Sequence, residues 1–118
     1  CSSPAVGVAR SIGRKRAMEM LFTGDAISAD LALQWGLINR VVPAAELDAE
    51  VGALAAAIAA QSPAVLALGK RAFYRQIEQG MEAAYDSAGG AMAGNLGLPD
   101  AGEGIDAFLA RRKPRWRC

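Results

Sequence analysis

A chain of 118 residues with a net charge of +1 has the size of one modest domain and no global field to attract nucleic acid. It contains no histidine, which excludes imidazole acid–base chemistry and histidine metal sites. Its 53% hydrophobic share is rich in alanine and accompanied by 13 glycines, a composition suited to close helix–helix packing rather than to a sheet.

In chain order, residues 1–9 are small and apolar, with Pro4 and Gly7, and read as a loop or a helix start. Residues 10–22 read as a helix, because Ala17, Met18, Leu21 and Phe22 recur at helical spacing. Arg10, Arg14, Lys15 and Arg16 crowd its first half, where exposed cations oppose the helix dipole by a few tenths of a kcal/mol each. They fit a solvated face, with a phosphate-facing patch as the alternative. Thr23-Gly24-Asp25 stops that helix, and Ser28 is an N-cap for a second one carrying Ile27, Leu31, Ala32 and Trp35, closed by Gly36. Leu37 to Val42 is an apolar, β-branched run that predicts a short strand ended by Pro43.

Residues 44–60 predict an alanine-rich helix with Glu46, Asp48 and Glu50 in its first two turns. Leu47, Val51, Leu54 and Ile58 form its apolar stripe. Ser62-Pro63 opens the next helix as cap and first helical residue, and the apolar pattern runs to about Gln79. Gly80 breaks the run before a helix over 81–95, in which Gly89, Gly90 and Gly94 suggest close approach of a neighbouring backbone. Asp100 and Glu103 have capping-box spacing and predict a last helix to about Arg111, with Pro114 ending it.

Few residues are arranged for chemistry. Glu78, Glu82 and Asp86 stand four apart and read as a solvated acidic face. Glu19 has Lys15 at i−4 as a natural ion-pair partner. Ser28, Ser62 and Ser87 have no histidine to activate them, and there is no G-x-S-x-G and no phosphate loop. Cys1 and Cys118 lack the spacing of a disulfide framework or a metal site, which predicts a reducing, intracellular setting. No leader pattern is visible, and the apolar run 51–60 falls short of the roughly 20 residues that span a bilayer. No catalytic residue and no metal ligand is therefore assigned, and no membrane partner is expected. The tail differs. Arg111, Arg112, Lys113, Arg115 and Arg117, with Trp116 among them and Phe108 nearby, could hold phosphates and stack on a flat base. A solvated tail is one reading; nucleic acid is another, disfavoured by the short patch and the balanced charge elsewhere.

Residues 13–42 (G…A.EmLfTGd.IsA..Al.wGLiNrVV) and the ending Asp100, Glu103, Gly104, Ala107, Phe108, Arg111-Arg112-Lys113-Pro114 resemble the enoyl-CoA hydratase/isomerase (crotonase) superfamily. Cys1-Ser2-Ser3-Pro4 and the run 69–75 look most like its mitochondrial enoyl-CoA hydratase domain-containing members. The resemblance implies a mainly α architecture, the C-terminal helical trimerisation region of a crotonase-type α/β spiral, with one short strand near 37–42. It implies an end-of-core segment over 1–42 and a helical oligomerisation region over 43–118. It also implies an acyl-CoA substrate, no separate cofactor, and a homo-oligomer, trimer or hexamer. Phe108 and Arg111 are then expected near the adenine and 3′-phosphate of coenzyme A, with arginine where the family commonly has lysine. The oxyanion-hole N–H pair and the two water-directing glutamates belong to the upstream spiral and have no counterpart in this sequence, so the chain alone is expected to be inactive. The rival expectation is a stand-alone helical interaction module without catalysis. The expected location is intracellular and cytoplasmic, or mitochondrial in a eukaryote.

Overall fold

Short polar and glycine punctuation divides the chain into helices, and the computed structural model describes residues 2–117 of it. The two cysteines, and what the sequence suggests for them, lie outside the described residues. The described residues contain α1 (Ser2–Ser11), α2 (Arg14–Thr23), α3 (Ala29–Trp35), a 3-10 turn (Ala44–Glu46), α4 (Leu47–Ala59), α5 (Pro63–Gln76), α6 (Met81–Leu96) and α7 (Pro99–Leu109). They form two compact units, Cys1–Glu50 and Val51–Cys118.

In the first unit, the helical alternative holds for the opening residues, with α1 over Ser2–Ser11, and the helix expected over 10–22 is broken at Ile12-Gly13. Gly13 is extended (φ −60°, ψ 149°) and serves as the N-cap of α2, so α1 and α2 fold back on one another. Ile12 and Ala17 are buried there. Gly24 and Gly36 close α2 and α3 in the left-handed conformation, at φ 71° and 80°. Ser28 Oγ accepts the N–H of Leu31 at 3.1 Å, a cap whose loss typically costs about 1 kcal/mol. The Lys15–Glu19 pair is not among the ion pairs of the described residues. Arg16 instead lies over the Trp35 ring, 5.6 Å from its centroid.

The strand expected at 37–42 does not form. Residues 37–43 are irregular, and no strand exists among the described residues. A strand's N–H and C=O groups need a neighbouring ladder, and the described residues supply none. Arg40 of this segment is held by an ion pair with Glu50.

In the second unit, Ser62 Oγ accepts Val65 N–H at 3.2 Å and Pro63 occupies the first helical turn, as their spacing predicts. Helix α5 stops at Gln76, about three residues early, and turns through 77–79. Gly80, extended at φ −66° and ψ 158°, caps α6, and the Ser87 hydroxyl donates to Gln79 Oε1 at 2.8 Å across this turn. Helices α5 and α6 pack as a hairpin. The close approach expected at Gly89, Gly90 and Gly94 is absent: a Cβ built at any of them meets nothing within 4 Å.

Candidate functional site

The last helix and the segment after it form the most cross-linked part of the chain. Pro99 decides where α7 begins. Its ring fixes its own φ and disfavours a helical residue before it, so Leu98 takes the extended cap position (φ −77°, ψ 142°) and Pro99 the first helical one. Asp100 thereby becomes the second residue of the helix instead of its cap, and the capping box expected for Asp100 and Glu103 is not made. Both carboxylates serve the tail instead.

Asp100 is buried and its Oδ1 accepts the N–H of Arg117 at 3.0 Å. Its Oδ2 is buried without a hydrogen-bond partner. The neighbouring Ser62 hydroxyl, then the Arg117 N–H, hold its carboxyl below the ordinary range. Glu103 accepts from Nη1 and Nη2 of Arg112 at 2.6 and 3.0 Å, a two-pronged pair. Its Oε1 also accepts the N–H of Arg115 at 2.6 Å. The Arg112 guanidinium and then the Arg115 N–H bring Glu103 down to about 2, and Glu103 in turn raises Arg112. Trp116 lies against Gly104, where a Cβ would meet the indole ring at 3.5 Å, and its Nε1–H donates to Ala60 O at 2.8 Å. The indole N–H thus satisfies a carbonyl just past the end of α4. Asp100, Glu103 and Gly104 share one face of α7, and Arg117, then Arg112 and Arg115, then Trp116 meet them, so the tail runs back along that face.

The turn that starts this return is closed by two backbone bonds, Arg111 N–H to Phe108 O at 3.1 Å and Arg112 N–H to Ala107 O at 3.0 Å. This pattern usually has glycine at its left-handed position. Here that position is Arg111, at φ 51°, the one non-glycine residue with positive φ among the described residues. Phe108 is 81% exposed, the highest value among the large apolar residues. Of the tail cations, Arg112 is committed to Glu103, whereas the exposed Arg111 side chain makes no hydrogen bond or ion pair among the described residues. Phe108 and Arg111 therefore stand on either side of one tight turn.

The other candidates do not assemble a site. Glu78 lies in the turn before Gly80, off the helix that carries Glu82 and Asp86. An open groove of about 640 Å³ between α5 and α6 carries Arg71, Arg75 and Asp86, and neither Phe108 nor Arg111 lines it. No cluster able to hold a metal occurs among the described residues, and no single helix is long and apolar enough to cross a membrane.

Residues 5–118 match the family model for enoyl-CoA hydratase/isomerase. The chain belongs to the enoyl-CoA hydratase/isomerase family. It is 51% identical, over 98% of its length, to the mitochondrial enoyl-CoA hydratase domain-containing protein 3 of Mus musculus, and spans 39% of that protein. The corresponding Homo sapiens protein is also 51% identical. Two crystal structures superpose closely. An enoyl-CoA hydratase from Mycobacterium smegmatis gives a TM-score of 0.95 at 50% identity, over 98% of this chain and 45% of that one. The human enoyl-CoA hydratase domain-containing protein 3 gives 0.94 at 51%, over 98% and 46%. The helical architecture is thus that of the family's C-terminal part, and the chain spans about two-fifths of the curated relatives it matches.

Proposed function

We propose that the turn between α7 and the tail receives the adenosine end of a coenzyme A thioester, with the Phe108 ring against the adenine and the Arg111 guanidinium on the 3′-phosphate. One observation carries the reading: Arg111 is held in a left-handed conformation, unpaired, one turn from a nearly fully exposed phenylalanine. Strained backbone is retained where the surrounding structure over-determines it, and such residues cluster at active sites, ligand clamps and switch regions. Arginine presents a planar fork to a phosphate, and a base stacked on an aromatic ring is worth about 1–3 kcal/mol. The family resemblance supplies the ligand.

The whole protein, on this reading, adds water to an enoyl-CoA or isomerises it through an oxyanion-stabilised thioester enolate. The 118 residues contribute binding and no turnover, because no two carboxylates here are placed to divide acid and base roles on a substrate. Calorimetric titration with coenzyme A, paired with a crotonyl-CoA hydration assay, tests this. Binding without turnover is expected, with Phe108→Ala weakening binding about tenfold. Hydration at an enzymic rate by this chain would overturn it, as would unchanged affinity in Phe108→Ala.

Large apolar side chains left in solvent, Leu47, Val51, Leu54 and Ile58 of α4 among them, favour a second and compatible role in homo-oligomer assembly. The mitochondrial names of the relatives support an organellar over a cytoplasmic location.

A further inference from the structure

We infer that Glu103 is a positioning residue for Arg111: by pairing with Arg112 and accepting the Arg115 N–H, it locks the left-handed turn and removes the adjacent Arg112 as a competing cation. The functional half of this inference rests on the coenzyme A reading above, while the structural half does not.

Residue 112 has two tasks on opposite sides of the chain. Its N–H closes the helix-ending turn on Ala107 O, and its guanidinium grips both oxygens of Glu103. The same carboxylate then takes the N–H of Arg115, so residues 112–115 are looped around a single anion. Trp116 on Gly104 and Arg117 on Asp100 continue the attachment along α7. A non-glycine residue resists the left-handed conformation, so Arg111 holds it because both flanks are tethered. Without the tether, Arg111 would relax toward right-handed helix, extend α7, and carry its side chain around the helix axis. Arg112, equally basic and one residue away, would then compete for the same phosphate. Glu103 prevents both: it neutralises Arg112 and fixes the direction of Arg111.

Three variants of the chain, Glu103→Ala, Glu103→Gln and Arg112→Ala, are compared with wild type and with Lys113→Ala as a control. The first measurement is amide hydrogen exchange of Arg112, which reports the bond to Ala107 O. Exchange about tenfold faster or more is expected in Glu103→Ala and Arg112→Ala, smaller in Glu103→Gln, and absent in Lys113→Ala. The second is affinity for coenzyme A against dephospho-coenzyme A, which lacks the 3′-phosphate. Wild type is expected to prefer coenzyme A, and Glu103→Ala to lose that preference about tenfold while keeping its affinity for the dephospho form. Equal losses for both ligands would mean a structural role only and would overturn the inference, as would unchanged Arg112 exchange. If wild type fails to distinguish the two ligands, the coenzyme A reading falls and exchange alone decides the tether: faster in Glu103→Ala than in Lys113→Ala upholds it, equal rates sink it. Glu103→Gln keeps an acceptor for Arg115 and so guards against a variant that does not fold.

Discussion

The α7–tail element and the α5–α6 hairpin lie in the same unit yet settle their surfaces in opposite ways. The tail is tied down by directional contacts: two carboxylates and a close glycine contact fasten Arg112, Arg115, Trp116 and Arg117 to one face of α7, and the indole N–H reaches Ala60 O. The hairpin is not. Phe73 packs edge-on against Tyr74 at 5.5 Å, but both remain mostly exposed, with Tyr85, Met81 and Met92. Charge-assisted hydrogen bonds are directional and complete once their partners meet, whereas an apolar face gains only when something covers its area. The first kind of surface stands alone; the second calls for a partner.

The hardest blow to this contrast should come from Trp116→Ala, which removes both the Ala60 bond and the ring on Gly104. A loss of about 2–3 kcal/mol is expected in urea unfolding, read by circular dichroism. A loss under about 0.5 kcal/mol, the range of an ordinary surface substitution, would show that the tail is not fastened as described. On the hairpin, Phe73→Asp should leave the helical signal intact and, if the proposed assembly covers this exposed ring, weaken self-association about tenfold in sedimentation experiments. Unchanged association would place the assembly surface elsewhere.

Arg111→Gly sharpens the comparison from within the tail. Relief of the left-handed conformation should exceed glycine's extra chain entropy and raise stability by about 0.5–1 kcal/mol, while coenzyme A affinity falls. Lower stability on thermal unfolding would mean that Arg111 makes a stabilising contact of its own.

The smallest effect concerns pH and should be confined to acid. Glu103 falls from an ordinary 4.5 to about 2 in the folded chain, so between those values the unfolded chain binds the proton and the folded chain does not. The tether's contribution is therefore complete above about pH 4.5 and fades toward pH 2, with Asp100 acting in the same direction. Stability measured from pH 6 to 2 should fall over that window in wild type and more shallowly in Glu103→Gln. Parallel curves would remove Glu103 from the linkage.

Phe108 and Arg111 are singled out in the sequence by the resemblance of the chain's ending to the family's, whereas the residues alone show only a basic, aromatic tail. The conformation of Arg111 was not legible, since nothing local distinguishes it from Arg112. The spacing of Asp100 and Glu103 suggests a capping box, but Pro99 carries the contrary signal: a proline in the first turn moves the cap back to Leu98.

What the sequence determined alone is the set of helix ends governed by neighbours within four residues, namely Gly24, Ser28, Gly36, Ser62-Pro63 and Gly80. Caps and stops are short-range chemistry and need no fold to act. Only the tertiary structure decided that 37–42 stays irregular and that Glu103 meets Arg112 and Arg115, nine and twelve residues on. A ladder partner and the return path of a tail are set by chain segments beyond the reach of local propensity, and the side chain that could serve either a cap or a tether goes to the stronger, charged partner.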